Sequence, residues 1–285
     1  MPDINQDLVQ AGRLASQIHK EIAEFVAPGV NLLSIEERIA KRIAGAGMKP
    51  AFKGYKNYPS VSCLSVNSAV VHAIPYDYAL KSGDVLSVDL GVEKNGWIVD
   101  TAHTHAVGQV APRVAELLEV TKFALAEGIK VAKAGNHTGD IGQIVQKIVE
   151  SAGFYIIRDL TGHGVGKKLQ MPPSIPNFGR AGTGALIKEG MILAIEPITA
   201  LQKVSLTIER DQWTIRAHPD VVSAHFEHTI VVTKNDPVVL TDSTSLTVST
   251  VLSSLSKGGQ PWVRVERVDW SSINQVEYWK MSEKE

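Results

Sequence analysis

The sequence predicts an α+β domain of two related halves, a central antiparallel sheet carrying two helix pairs on one side. Two internal matches and one chemical pattern predict it. A shift of 106 residues lays Gly29, Ile35, Lys41, Ala46 and Gly47 onto Gly135, Ile141, Lys147, Ala152 and Gly153. A shift of 107 lays Ala79–Asp89 onto Leu186–Glu196, with Lys81 on Lys188 and Gly83 on Gly190. In both copies a Lys-x-Gly turn leads into a β-branched and leucine run that closes on a carboxylate. Two halves that each bring an acidic strand to a shared seam imply pseudo-two-fold symmetry.

In the first half, Leu8, Ala11, Leu14, Ala15, Ile18 and Ile22 recur at helical spacing, and Pro28 and Gly29 end that helix. Ser34 and Glu37 form a capping-box pattern that opens a second helix, with Ile35, Ile39 and Ile43 on one face. Gly45 and Gly47 stop it. In the second half, Val114 to Ala132 and Thr138 to Ser151 repeat the plan. The halves span about residues 5–108 and 112–242, so residues 1–242 read as one domain. Residues 243–285 fall outside the repeat. They begin Ser/Thr-rich, pass Gly258 and Gly259, and alternate over 263–270, which reads as a linker and a short strand or hairpin of unknown role.

Composition excludes several classes. The 285 residues carry 29 Lys+Arg against 30 Asp+Glu, so net charge gives no reason to expect nucleic acid or an anionic membrane as partner. The one cysteine, Cys63, rules out an intramolecular disulfide and suits a reducing compartment. The polar, acidic start Met1 to Asp7 is unlike a signal or transit peptide. No uncharged run of about 20 apolar residues is present to span a membrane. The expectation is a soluble, monomeric, cytoplasmic protein.

Carboxylates within apolar strands carry the chemistry. Asp89 interrupts Leu86 to Val92, and Glu196 interrupts Ile192 to Ile198. A buried carboxylate costs several kcal/mol unless it is paired, protonated or bound to metal. One such residue reads best as a salt bridge or an outward edge position. Four of them, two related by the repeat, point elsewhere. Asp100 follows Asp89 by 11 residues, a spacing that suits adjacent strands joined by a short turn over Glu93 to Gly96. Glu227 holds a comparable position in the second half, and His163 sits among glycines in Thr161 to Gly166. Four carboxylates and one imidazole favour Mn²⁺, Fe²⁺, Co²⁺ or Zn²⁺. Bridging carboxylates can hold two such ions roughly 3.5–4 Å apart. The run Gly162-His163-Gly164-Val165-Gly166 is no phosphate loop, since it lacks Gly-Lys-Ser/Thr. No Gly-x-Ser-x-Gly elbow is present. His19, His105, His137 and His218 read as structural.

With these positions in hand, the sequence over about residues 5–242 resembles the type I methionine aminopeptidases of the pita-bread metallopeptidase family. The resemblance rests on Ser65 to Pro75, Val88-Asp89, Asp100-Thr101, Thr161 to Gly166, Ile195-Glu196-Pro197 and Phe226-Glu227-His228-Thr229, in order and at kept spacings. It implies two divalent ions, with Asp89 on one, His163 and Glu196 on the other, and Asp100 and Glu227 bridging. A water activated by the pair removes the N-terminal methionine of peptides and nascent chains, with transient ribosome contact as a possible setting. Glu196 resembles the family's general base, and His72 the histidine that contacts the reacting amide. Tyr55, Tyr58, Cys63 and Trp213 match the methionine side-chain pocket, where aromatic faces and a small thiol suit a thioether. Taken singly, Trp213 and Cys63 read as plain core residues.

One position departs from the pattern. The family usually carries a second histidine seven residues after the ligand histidine, where this chain has Gln170. In the family, that histidine donates to the oxyanion or the substrate carbonyl. Glutamine keeps a donor but carries no charge, so a slower peptidase is expected. A proline-specific relative is the nearest alternative, although such enzymes usually carry an extra N-terminal domain and here the first repeat begins within about 10 residues of Met1. A binding homologue that has lost its ligands is the other, against which all five ligands speak. No large insertion separates His163 from Glu196, which points away from the type II branch.

Overall fold

The computed structural model describes residues 4–242. The first half runs α1 (Gln6–Phe25), α2 (Leu32–Gly45), β1 (Lys49–Pro50), β2 (Ser62–Val66), β3 (Ala69–Val71), β4 (Val85–Lys94) and β5 (Trp97–Ala106). The second opens with α3 (Pro112–Lys130), α4 (Thr138–Ser151), β6 (Tyr155–Ile156), β7 (Thr161–Gly164), β8 (Met171–Pro176) and β9 (Ile192–Ile195). It closes with β10 (Ile198–Ala200), β11 (Ser205–Ile208), β12 (Ile215–His218), β13 (Ser223–His225), β14 (His228–Val231) and β15 (Val238–Val239). The strand or hairpin predicted over 263–270 lies outside the described residues.

The helices follow the apolar spacing. α1 buries Leu8, Ala11, Leu14, Ala15, Ile18 and Ile22, and the Asn5 side chain caps it by accepting from the Asp7 N–H at 2.8 Å. α2 buries Ile35, Ile39 and Ile43, but its start differs from the predicted one. The cap is Asn31, whose side chain accepts from the Leu33 N–H at 2.9 Å. Ser34 therefore lies inside the first turn, and Glu37 pairs with Lys41 at 2.6 Å instead of reaching back. A better cap three residues upstream wins because Asn31 is already extended, held in a bridge to Ala79. The repeat-related residue His137 caps α4, with Asp140 accepting from the His137 N–H at 2.6 Å.

Backbone hydrogen bonds repeat with the sequence. The Gly29 N–H donates to Leu80 O at 2.7 Å, and the Gly135 N–H to Ile187 O at 2.9 Å. The Gly83 N–H donates to Val107 O at 2.8 Å, and the Gly190 N–H to Val232 O at 2.9 Å. Gly83 and Gly190 have φ of 98° and 85°, the left-handed turn that the Lys-x-Gly segments require. The pseudo-two-fold relation thus holds at the level of single bonds.

All strand pairs are antiparallel, but their ladders fall into four sheets instead of one: β1–β4–β2 with β5 on β4, β13–β10–β6, β11–β12–β3, and β15–β14–β9–β7–β8. Where the halves meet, threonine hydroxyls stand in for ladder bonds. The Asp100 N–H donates to Thr229 Oγ1 at 2.8 Å, and that hydroxyl donates to Asp100 O at 2.7 Å. Thr101 Oγ1 donates to Glu227 O at 2.9 Å, and the Glu227 N–H donates to Ala102 O at 2.8 Å.

Period-two alternation then separates two faces. Asn95 and Gly96, at φ 49° and 76°, turn β4 tightly into β5 and set Asp89 opposite Ala102 and Gly91 opposite Asp100. Asp89 and Asp100 therefore share a face. Val88 and His103 share the other, where α1 stacks His19 on His103 with ring centroids 4.2 Å apart. In the second half, Leu117, Ala124, Ile141 and Val145 of the helices pack with Leu193, Ile195 and Ile230 of the strands. Among the described residues, no helix is long and apolar enough to cross a membrane.

Candidate functional site

On the face away from the helices, the strands enclose a cavity of about 330 Å³. All eleven residues singled out from the sequence line it: Tyr55, Tyr58, Cys63, His72, Asp89, Asp100, His163, Gln170, Glu196, Trp213 and Glu227. Of the histidines set aside as structural, His137 caps α4 and the His218 ring meets Thr207 Oγ1 at 2.7 Å. His19 and His105 lie on the helix side of the sheet.

The acidic end is built for a cation. Asp100, His163 and Glu227 each offer a ligand atom, and these atoms lie within 4.8 Å of one another. His163 Nε2 lies 3.8 Å from Asp100 Oδ2 and 3.5 Å from Glu196 Oε1. His163 Nδ1 lies 3.0 Å from Gly164 O; a proton held there leaves the Nε2 lone pair facing the carboxylates. Asp89 Oδ1, Asp100 Oδ1 and Glu227 Oε1 are buried and find no hydrogen-bond partner among the described residues. Orphaned carboxylate oxygens grouped around one imidazole fit hard or borderline divalent metal.

Electrostatics report the same mismatch. Burial, then repulsion from Asp100 and Glu196, lifts Asp89 well above the ordinary carboxylate range. Asp100 is pushed up to about 7 by burial, against the attraction of His163. Glu227 is raised well above its usual value by burial first, then by Asp100, Glu196 and Asp89. Carboxylates crowded so closely take up protons or a cation. On the opposite wall, burial holds the His72 imidazole below its ordinary value, although Glu196 pulls the other way. His72 is a non-glycine residue at φ 61°, a conformation that side chains seldom adopt outside functional or tightly constrained positions.

The second end of the cavity is apolar. Phe52, Tyr58, Cys63 and Leu169 form a buried cluster, against which Tyr55, Ile98 and Trp213 pack. Tyr58 and Trp213 meet edge to face, with centroids 5.0 Å apart. The Tyr58 hydroxyl lies 3.0 Å from Ser62 O and 3.1 Å from Ala73 O, so its one proton has a backbone acceptor. Burial pushes the Cys63 thiol up, which keeps it neutral. Cys63 lies directly opposite Asp89 in the β2–β4 ladder, so the apolar pocket and the acidic cluster share a wall. Gln170 is exposed at the mouth, where its Oε1 accepts from the Tyr55 hydroxyl at 3.2 Å.

Sequence reasoning missed Phe52, Leu169 and His225. For Phe52 and Leu169 no signal was available, since apolar residues in loops carry no periodicity. His225 had one: it stands two residues before Glu227, with both side chains directed into the cavity.

Comparison with known proteins gives the family and the fold. Residues 6–234 match Metallopeptidase family M24. The chain is 36% identical over 232 residues to a methionine aminopeptidase of Clostridium perfringens, covering 81% of this chain and 93% of that protein. The crystal structure of a methionine aminopeptidase from Thermotoga maritima superposes with a TM-score of 0.82 at 38% identity, over 85% of this chain and all of that one. A prolidase from Pyrococcus horikoshii shares the fold at TM-score 0.67 and 21% identity, over 84% of this chain and 61% of that one.

Proposed function

The chain belongs to metallopeptidase family M24, and from that footing we propose how its residues divide the work of removing an N-terminal methionine. It is a hydrolase that uses divalent metal and acts on peptides beginning with methionine. Asp89, Asp100, His163, Glu196 and Glu227 hold two ions, drawn from Co²⁺, Mn²⁺, Fe²⁺ and Zn²⁺. The observation that carries this reading is the set of buried carboxylate oxygens beside His163 that have no hydrogen-bond partner among the described residues.

Bound metal supplies Lewis-acid polarisation and a more acidic water. The protein supplies the rest. The methionine side chain enters the pocket of Phe52, Tyr58, Cys63, Leu169 and Trp213, which excludes water and suits a flexible thioether. That placement sets the first peptide bond beside Glu196 and His72. Glu196 takes the proton of the attacking water and returns it to the leaving amine nitrogen, a role that contributes about 10²–10⁴-fold in rate. His72, kept neutral by burial, donates to the reacting amide. Gln170 offers its amide N–H to the developing oxyanion while Tyr55 holds its oxygen. Residues 1–242 form the catalytic domain. Cytoplasmic residence and nascent chains as substrates are part of the same reading; the single cysteine, Cys63, suits a reducing compartment.

The direct test is release of free methionine from Met-Ala-Ser by the full chain, with each metal in turn and titrated to stoichiometry. Turnover that saturates at two equivalents per chain is expected, with Xaa-Pro peptides left uncut. Saturation at one equivalent overturns the paired-ion assignment, and cleavage of Xaa-Pro overturns the methionine pocket. A second expectation concerns Gln170. Losing an oxyanion donor costs about 10²–10³-fold, and a neutral donor loses only part of that. Gln170→His should therefore raise kcat, on the order of tenfold, on the same tripeptide. If kcat stays level, Gln170 does not serve the oxyanion.

A further inference from the structure

Beyond the family's ligand set, the cavity contains a histidine without an assigned task. His225 side-chain exposure is 3%, and its Nε2 lies 3.3 Å from Glu196 Oε2. That nitrogen has no aligned hydrogen-bond partner among the described residues, so the contact is close but bent. The other oxygen, Glu196 Oε1, faces His163 Nε2 at 3.5 Å. One carboxylate thus presents each of its oxygens to a different imidazole.

The placement of His225 is fixed by its backbone. Its N–H donates to Thr104 Oγ1 at 2.8 Å, and that hydroxyl donates to His225 O at 2.7 Å. Ladder pairing sets it opposite Ile198, two residues beyond Glu196. Glu196 is held in turn by its carbonyl, which accepts from Asn177 Nδ2 at 2.8 Å. Both main chains are therefore anchored, and only side-chain rotation separates the two groups from alignment.

We propose that His225 is a positioning residue for Glu196, its Nε2–H donating to Oε2. A buried polar nitrogen left without a partner is costly, and a carboxylate at this range is the acceptor it can reach. A hydrogen bond to a charged oxygen is also stronger than a neutral one. The consequence is a division of labour within one carboxylate. Oε1 stays on the His163 side, where the metal ligands gather. Oε2 is held in a fixed plane, so that the lone pair that takes up and returns the proton always points at the scissile bond. Without that restraint the carboxylate rotates, and the fraction of time it is aligned falls. His225 acts through Glu196 and does not itself touch substrate. The inference rests on the reading of Glu196 as the base.

The test compares His225→Leu, which removes the donor, with His225→Gln, which keeps an N–H, in the full metal-loaded chain acting on Met-Ala-Ser. His225→Leu is expected to lower kcat about 10- to 100-fold, the usual cost of an outer-shell partner, with KM within about twofold. His225→Gln should recover most of the loss. In metal-free protein, ring ¹⁵N spectra should show the proton on Nε2, and Glu196→Gln should shift that resonance. Unchanged kcat in His225→Leu overturns the proposal, as do equal losses in both variants or a resonance indifferent to Glu196. Full activity of Glu196→Gln would instead sink the base assignment, an outcome separate from any of these.

Discussion

Asp100→Asn is expected to inactivate the enzyme while making its metal-free form more stable. The two effects have one cause. Asp100 lies between the halves with its backbone fixed on both sides by Thr229, so the carboxylate cannot leave its buried position. Around it stand Asp89, Glu196 and Glu227 at close quarters, with His163 as the nearby imidazole. The folded-state pKa of about 7 compares with an ordinary value of 3.8. The folded chain thus binds a proton that the unfolded chain has released between those limits. Metal-free stability falls as pH rises through that window, and the whole penalty is present above pH 7. Asparagine keeps the shape without the charge. Allowing for relaxation of the remaining acids, the gain at pH 8 is about 1–3 kcal/mol, or roughly 2–4 °C of Tm per kcal/mol for a chain of this size.

Catalysis moves the other way. Loss of a ligand should cost more than the roughly 10–100-fold typical of an outer-shell change. Thermal melts in a chelator at pH 8 and turnover on Met-Ala-Ser, read on the same variant, check both halves. Added Mn²⁺ should raise the wild-type Tm and leave Asp100→Asn nearly unmoved. A lower metal-free Tm in the variant would mean that Asp100 is a structural carboxylate, and the metal reading of the cluster would go with it.

Much of this site was legible in the sequence because it is made of strands related by a repeat. Asp89 and Glu196 stand out as charges in apolar runs, and an 11-residue step across an Asn-Gly turn places Asp100 beside Asp89. The α2 cap differs from the expected one because Ser34 and Glu37 satisfy the local pattern, while Asn31 is selected by a long-range bridge to Ala79 that no local window contains. The antiparallel sheet was legible, but the closing of the seam between β5 and the strands β13 and β14 was not: threonine side chains make those bonds, and side-chain substitution for ladder bonds leaves no periodic trace. Phe52 and Leu169 come from loops, whose path is set by the packed fold. His225 is readable by its alternation with Glu227, which sends both side chains to one face.

Acid is expected to unfold the protein steeply through histidines that take no part in the reaction. His19 from α1, His103 and His105 from β5 and His228 from β14 meet on the helix side of the sheet. His103 stacks on His19 and meets the His228 ring edge-on at 5.5 Å. His19 Nδ1 and His105 Nε2 are buried without partners among the described residues. Burial, reinforced by the neighbouring imidazoles, holds His19 down to about 3. Burial alone holds His105 at about 4, and it holds His228 at about 4 although Asp242 pulls upward. Burial first, then the neighbouring His19, His228 and His105 and lastly Lys122, holds His103 well below its usual value. Each of these groups is protonated in the unfolded chain below about pH 6.5, whereas in the fold His105 and His228 stay neutral down to about pH 4 and His19 down to about pH 3. Stability is therefore lost as pH falls from about 6.5, at up to about 1.4 kcal/mol per pH unit for each histidine. In metal-free protein the raised carboxylates Asp89, Asp100 and Glu227 act oppositely, Asp100 up to about pH 7, so they offset the histidines until the unfolded carboxylates also protonate. The transition should then be sharp below about pH 4.5, since total stability is only about 5–15 kcal/mol. His105→Leu, which removes an unpartnered nitrogen, should flatten the acid limb by about one proton. Asp100→Asn should expose the histidine slope earlier, between pH 5 and 6.5, because it removes part of the counterweight. Circular dichroism melts of both variants from pH 3 to 8 measure these slopes, and an acid limb unchanged in His105→Leu would show that His105 titrates normally in the fold.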